Sequence, residues 1–205
     1  MMTSANSQPL SLLAKQKKEL RATTRARRRQ LSSRQQQLAA THLIRVLNKS
    51  GLILKANYIA LYLSSDGEID PSYFLDELWK RKKKVYLPVI QSYTNHRIVF
   101  CEVTPHTKLH RNRFGILEPS IKTSKRLAAK QLSLVLMPLV AFDTLGNRIG
   151  MGGGYYDRAF AFKKNAKGKP VLLGLAHDFQ RVEKLSTEAW DVPIDGVATD
   201  KKLYV

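Results

Sequence analysis

The stretch Leu132-Ser-Leu-Val-Leu-Met-Pro-Leu-Val-Ala-Phe-Asp-Thr-Leu-Gly-Asn-Arg-Ile-Gly-Met-Gly-Gly-Gly-Tyr-Tyr-Asp-Arg158 reads as a strand, a glycine-rich loop and the start of a helix. An apolar run over 132–137, interrupted only by Ser133 and closed by Pro138, suits a strand buried on both faces. Glycines at 150, 152, 153 and 154 let the backbone adopt positive φ and approach a ligand closely. Successive N–H groups ahead of a helix start form an anion cradle, which the helix dipole reinforces, and phosphate is its natural guest. Arg148 offers a fork-shaped donor to phosphate oxygens, and Asp157 an oxygen ligand for magnesium. The loop is neither a Walker A motif, because no Lys-Ser or Lys-Thr follows its glycines, nor G-x-G-x-x-G. The same glycines would also serve a tight turn without any ligand.

Working outward, residues 58–63 form a short apolar run suited to a buried strand. Asp70-Pro71 then supplies an N-cap and an N1 proline before Phe74, Leu75, Leu78 and Trp79 at helical spacing. Further strands are expected at 84–89, 97–101, 171–176 and 196–199, with a helix over 155–162. Near the start, residues 11–31 read as a basic helix whose thin apolar stripe of Leu13, Leu20 and Leu31 would anchor it poorly. A capping box at Ser32 or Ser33 with Gln35 or Gln36 opens a second helix carrying Ala39, Leu43, Val46 and Leu47 on one face, and Gly51 helps end it. Alternating strands and amphipathic helices predict an α/β fold, Rossmann-like, with a largely parallel central sheet flanked by helices and preceded by basic N-terminal helices. Ligands of such sheets bind at the strands' carboxyl ends, which singles out the loops 64–70, 141–157 and 176–195.

At 205 residues the chain can bury a substantial core without disulfides or structural metal. We expect residues 1–10 to be disordered and 11–205 to form one domain. Cys101 is the sole cysteine, which excludes an intrachain disulfide and every thiolate cluster. No apolar run approaches the roughly 18 residues that would span a bilayer, and residues 1–9 lack the pattern of a signal peptide, so a cytoplasmic protein is expected. Lys and Arg number 35 against 16 Asp and Glu, a net charge of +19, so the partners should be anionic. The run 80–84 reads as a solvated helix end favoured by the macrodipole. The run 15–34, with nine basic residues and one acid, leaves a nucleic-acid-binding protein as the rival reading. Against it, no aromatic residues interleave the run as a stacking platform requires, and no known RNA-binding motif is present.

The segment 137–158 closely resembles the signature of 5-formyltetrahydrofolate cyclo-ligases. Four other pieces agree in order and spacing: Lys17-Lys-Glu-Leu-Arg21, Leu63-Ser-Ser-Asp-Gly-Glu-Ile-Asp70, Phe114-Gly-Ile-Leu-Glu-Pro119, and Gly174-Leu-Ala-His-Asp-Phe-Gln180 leading to Trp190-Asp-Val192. The resemblance implies an ATP-dependent enzyme that turns 5-formyltetrahydrofolate into 5,10-methenyltetrahydrofolate with magnesium as cofactor. It implies that Lys17, Arg21, Arg148, Ile149, Gly150, Met151, Gly152, Gly153, Gly154, Tyr155 and Tyr156 surround ATP. Leu63, Glu68 and the loop from Met151 to Tyr155 would contact the folate, and Asp157 and Asp191 would hold magnesium, with Arg148, Tyr155 and Asp157 closest to the chemistry. Of Tyr155 and Tyr156, one would face the folate and the other the sheet. Without the resemblance, Glu68 would equally suit the start of the Pro71 helix and Asp191 a turn before Pro193, while Lys17 and Arg21 would only solvate a helix face. His177 and Gln180 read as structural. Arg113, Glu118 and Pro119 would lie over the folate. Some relatives carry lysine where this chain has Gly153, so Arg148, Lys17 or another basic neighbour must supply that charge. The expected partner is a reduced folate, polyglutamylated in keeping with the basic excess, bound by a monomer without specific nucleic acid or membrane.

Overall fold

The structure, a computed structural model, describes residues 12–165, 168 and 170–205; the start expected to be disordered, residues 1–10, lies outside them. Helices are α1 (Leu12–Arg29), α2 (Ser33–Lys49), α3 (Leu52–Lys55), α4 (Leu75–Lys80) and α5 (Tyr155–Ala159). Strands in chain order are β1 (Tyr58–Ala60), β2 (Lys84–Ser92), β3 (Arg97–Val103), β4 (Leu109–Arg111), β5 (Leu117–Pro119) and β6 (Arg126–Leu127). They continue as β7 (Leu134–Pro138), β8 (Ala141–Phe142), β9 (Arg148–Ile149), β10 (Val171–Ala176), β11 (Gly196–Thr199) and β12 (Leu203–Tyr204).

Among the described residues the main sheet runs β12-β11-β10-β7-β1-β2-β3-β6. Pairings from β11 through β10, β7 and β1 to β2 are parallel, and β12, β3 and β6 add antiparallel edges. The apolar run that predicted a two-faced strand is β7, and its alternation splits the core. Leu134 and Leu136 join Leu43, Leu47, Phe74 and Leu78 on one face, whereas Val135 and Met137 join Phe100, Phe142 and Phe160 on the other. From β1 the chain moves to β2 on one side, and the later strands β7, β10 and β11 fill the other. The order therefore reverses between β1 and β7, and their carboxyl ends open a crevice into which the loops 61–70 and 139–154 project.

Local signals explain the boundaries. Ser32 caps α2 by accepting from Gln35 N, and the Gln35 side chain returns a bond to Ser32 N, completing the capping box. Asp70 accepts from Ser72 N ahead of Pro71. The helix expected over 155–162 stops at Ala159 and continues as a tighter turn, Ala161–Asn165. The stretch 141–149, read as loop, holds the hairpin β8–β9, whose turn Asp143 organises by accepting from Leu145 N, Asn147 N, Asn147 Nδ2 and Leu185 N at 2.9–3.0 Å. The short strands β4, β5, β6 and β12 carry too few apolar residues to have been read.

Helix α1 is anchored by charge rather than by its stripe. Arg28, fully buried, donates from Nη2 to Asp66 Oδ2 at 2.8 Å and from Nη1 to Leu139 O at 3.3 Å. Arg25 and Arg29 reach the same Asp66 at 2.6 and 3.1 Å, and the Arg27 guanidinium lies 4.3 Å from the Phe179 ring centre. The backbone of Arg28 also passes so close to Gly67 that a Cβ there would meet it at 2.8 Å, while Gly67 holds a φ of 72° that favours glycine. Of the basic run, Arg28 is thus buried and Lys17, Arg21 and Arg25 are half-buried, while Lys15, Lys18, Arg27, Arg29 and Arg34 stay exposed.

Three aspartates set the acid limit of the fold. Burial pushes the carboxyls of Asp66, Asp143 and Asp178 up, but the hydrogen bonds they accept outweigh it and hold each below the usual carboxylate range. A carboxyl depressed in the folded state stabilises above its unfolded value, and the contribution is lost as pH falls through the folded value. Glu68 runs the other way, because burial raises it, so its protonation offsets part of the loss. The urea midpoint is expected to fall once pH drops below about 4, followed by circular dichroism. A midpoint unchanged down to pH 2 would show that these carboxylates contribute nothing.

Candidate functional site

The glycine loop leaves β9 and enters α5, and none of the N–H groups of residues 150–154 donates a hydrogen bond to a described residue. The cradle rests on these free donors; α5 has only five residues, so its dipole adds little. Helix α1 passes alongside. Arg21 Nε donates to Gly150 O at 2.8 Å, and its guanidinium lies 3.8 Å from where a Cβ on Gly152 would sit. Burial lowers its pKa, opposed by the charge of Asp191. Its terminal nitrogens meet no described acceptor, which leaves the fork directed at the loop. With glycine at 153, the cations that touch the loop are Arg21, through Gly150 O, and Arg158, whose Nη1 donates to Gly153 O at 2.9 Å. One turn earlier, Lys17 Nζ lies 3.6 Å from Asp191 and 3.7 Å from Glu188.

Asp157 and Asp191 stand on either side of a backbone contact. Asp157 Oδ1 accepts from Val192 N at 3.1 Å and from Arg148 Nη2 at 2.7 Å. Arg148, with 7% of its side chain exposed, also donates to Val192 O. Its guanidinium therefore holds Asp157 against the 188–192 turn rather than pointing at the cradle. Asp191 Oδ2 accepts from Glu188 N at 2.8 Å, so it closes a turn as well as facing Lys17. No described residue hydrogen-bonds the second oxygen of either aspartate. Magnesium takes one or two carboxylates, completing its octahedron with water and phosphate oxygens, and the free oxygens of this pair suit that need.

On the β1 side, Glu68 is nearly buried. Its Oε2 accepts from Ser65 N at 3.1 Å, and Arg28 Nη1 lies 3.9 Å from Oε1. Burial raises the carboxyl above its usual range despite Arg28. The helix start belongs to Asp70, so Glu68 is left for the crevice. Leu63 is half-buried against the core beneath it. Tyr156 packs on the sheet, its ring stacked on Phe160 at 6.4 Å, and burial raises its hydroxyl, as does the charge of Glu68. Tyr155 instead lies 5.2 Å from His96 in the β2–β3 turn. Tyr156 therefore packs on the sheet, and Tyr155 lies off it against the β2–β3 turn. Met151 is exposed at the loop's tip, and Ile149 is buried below it.

Other predicted residues support the loops. His177 Nε2 bonds Gly67 O at 3.2 Å, and Gln180 Nε2 donates to Leu139 O and Val140 O, so both are structural, tying the carboxyl end of β10 to those of β1 and β7. Arg113 stacks 3.6 Å over Tyr93, and buried Glu118 accepts from Asn112 Nδ2 at 3.0 Å beside Pro119. Sequence reasoning missed Asp66, Arg28, Asp143 and His96. The arginines at 25, 28 and 29 share one helix face, a spacing that could have announced a buried carboxylate partner.

Residues 13–200 match the model of the 5-formyltetrahydrofolate cyclo-ligase family. The chain belongs to this family. A 5-formyltetrahydrofolate cyclo-ligase of Escherichia coli is 38% identical over 180 residues, covering 88% of this chain and 98% of the relative. One from Haemophilus influenzae is 46% identical over 140 residues, covering 68% and 74%. The solution structure of Aquifex aeolicus 5,10-methenyltetrahydrofolate synthetase superposes with a TM-score of 0.78 at 31% identity, over 91% of both chains. A Mycoplasma pneumoniae synthetase, at 22% identity and a TM-score of 0.69 over 90% of this chain and 99% of its own, shares the fold. The five segments quoted above thus lie in a cyclo-ligase fold; 63–70 follows β1 and 137–158 follows β7, while 114–119 packs on β2 with Phe114 against Tyr93. Among the described residues of this cyclo-ligase no helix is long and apolar enough to cross a membrane.

Proposed function

We propose that this chain converts 5-formyltetrahydrofolate to 5,10-methenyltetrahydrofolate at the expense of ATP. The single observation that carries the reading beyond family membership is the run of free N–H groups at 150–154 set between Arg21 and Asp157. The formyl oxygen attacks the γ-phosphorus and ADP leaves. N10 then attacks the activated formyl carbon, the carbon–oxygen bond breaks, phosphate departs, and the N10 proton is released. An amide oxygen is a weak nucleophile, so the task is positioning and charge neutralisation rather than covalent help.

In this reading Lys17, Arg21 and the backbone from Ile149 to Tyr156 hold the phosphates. Asp157 and Asp191 hold magnesium, which neutralises phosphate charge when bound. Arg148 acts through Asp157, as a positioning residue. Glu68 accepts N–H groups of the pterin, Leu63 lines its floor, and Tyr155 with the glycine backbone from Met151 to Gly154 meets the formyl end. In this reading the chain works as a monomer in the cytoplasm on a reduced folate, polyglutamylated in keeping with the basic excess. Purified protein with Mg-ATP is expected to turn 5-formyltetrahydrofolate into a species absorbing at the longer wavelength of the methenyl amidine, with one ADP per product. No new absorbance, or absorbance without ATP, would reject the reaction.

A further inference from the structure

His96 stands in the turn between β2 and β3, with a φ of 49°, a left-handed conformation in which Asn, Asp and His are enriched among residues with side chains. The turn is bracketed on two sides. Tyr93 meets Phe114 edge-on at 5.7 Å and lies under Arg113, while His96 tilts against Tyr155 at 5.2 Å and 60°. The His96 ring nitrogen Nδ1 is shut off from solvent and has no hydrogen-bond partner. It lies 3.9 Å from the point where a Cβ on Gly153 would sit. A shielded polar atom left unpaired costs about 1–3 kcal/mol and calls for a group that completes it. A Cβ on Gly153 would also come within 2.8 Å of the Tyr155 ring, so the bare glycine lets that ring lie across the loop beneath His96.

We propose that His96 is a substrate-positioning residue: its ring packs on Tyr155, and a rotation of that ring on folate binding presents Nδ1, shielded in the free chain, to a polar group of the folate, an amide or ring N–H or carbonyl, where the ligand passes Gly153. The inference rests on the folate reading given above. It accounts for three features together: the left-handed backbone that aims the ring, the unpaired nitrogen, and the ring contact with Tyr155. The chemistry on the nucleotide side, at Arg21, Asp157 and Asp191, lies on α1, α5 and the 188–192 turn rather than on the β2–β3 turn. Loss of His96 should therefore be felt by the folate far more than by Mg-ATP, which this loop meets through backbone N–H groups rather than through the Tyr155 ring.

The test uses two variants that both tolerate positive φ. His96→Gly removes ring and nitrogen, and His96→Asn keeps a polar atom near the position of Nδ1. Steady-state kinetics with 5-formyltetrahydrofolate and Mg-ATP varied in turn, beside thermal unfolding, should give His96→Gly a folate KM raised about tenfold, the loss of one hydrogen bond. Its KM for Mg-ATP should stay within about twofold, and His96→Asn should recover most of the folate KM. A wild-type folate KM in His96→Gly would overturn the proposal. So would equal rises in both KM values, or an Asn variant as impaired as the Gly variant. No turnover by the unaltered chain would overturn the proposed reaction and this role with it, whereas normal turnover with an indifferent His96→Gly overturns this role alone.

Discussion

Replacing Arg28 with alanine is expected to lower the unfolding free energy by about 3–5 kcal/mol, the cost of removing one partner from a buried charge cluster. The guanidinium is fully buried between Asp66 Oδ2 at 2.8 Å, Glu68 Oε1 at 3.9 Å and the Leu139 carbonyl at 3.3 Å. Asp66 keeps Arg25 and Arg29 after the change, but Glu68 is left in the crevice with no counter-charge within 4 Å. Urea unfolding with an unchanged slope measures the loss. Adding Glu68→Gln to the Arg28 variant should return part of it, because a neutral side chain needs no cation. A single variant within 1 kcal/mol of wild type would show that water replaces the guanidinium without penalty. Activity should fall further than stability, since the same arginine secures the α1 face that carries Arg21 and Lys17.

Asp157→Asn is expected to lower kcat at least about a hundredfold at ordinary magnesium, with partial recovery as magnesium is raised. Asparagine keeps an oxygen for Val192 N and Arg148 Nη2, so the turn stays in place. The change removes a charge and a ligand oxygen. Arg148, mostly buried, loses its anionic partner, and stability should drop by about 1–3 kcal/mol. A magnesium titration of activity separates the two effects. An unchanged dependence on magnesium in the variant would reject the ligand role and leave Asp157 as an anchor for Arg148.

The central strand was legible in the sequence because β7 is buried on both faces and so has no polar residue to blur its run. Residues 171–176 were legible for the same reason, and 196–199 carries one polar residue, Thr199, only at its end. The capping box at Ser32 and the Asp70-Pro71 helix start were readable since both operate within three residues. What escaped reading depends on partners far apart in the chain. Arg28 is indistinguishable from Lys18 in a basic helix, and only Asp66, brought to it by β1, makes one a buried anchor and leaves the other exposed. Arg148 reads as a phosphate donor until Val192, 44 residues away, takes one of its nitrogens. The hairpin β8–β9 is two residues per strand, below the length at which alternation carries information. Tyr155 and Tyr156 are identical to any local rule, and the neighbours Phe160 and His96 separate them.

The bond from Arg21 to Gly150 spans 129 residues, and Lys17 pairs with residues 188 and 191. During synthesis the Lys17–Arg21 end of α1 is thus made long before the groups that neutralise and seat it. Until the 188–192 turn has left the ribosome, this strongly cationic segment has no docking place at its Lys17 end, and its neighbourhood is an anionic ribosomal RNA surface. Completion of the phosphate cradle is therefore an event of the finished chain, and nascent forms ending before residue 188 should carry the Lys17 end of α1 as a solvent-facing, protease-sensitive arm, while Arg25, Arg28 and Arg29 already hold its other end to Asp66.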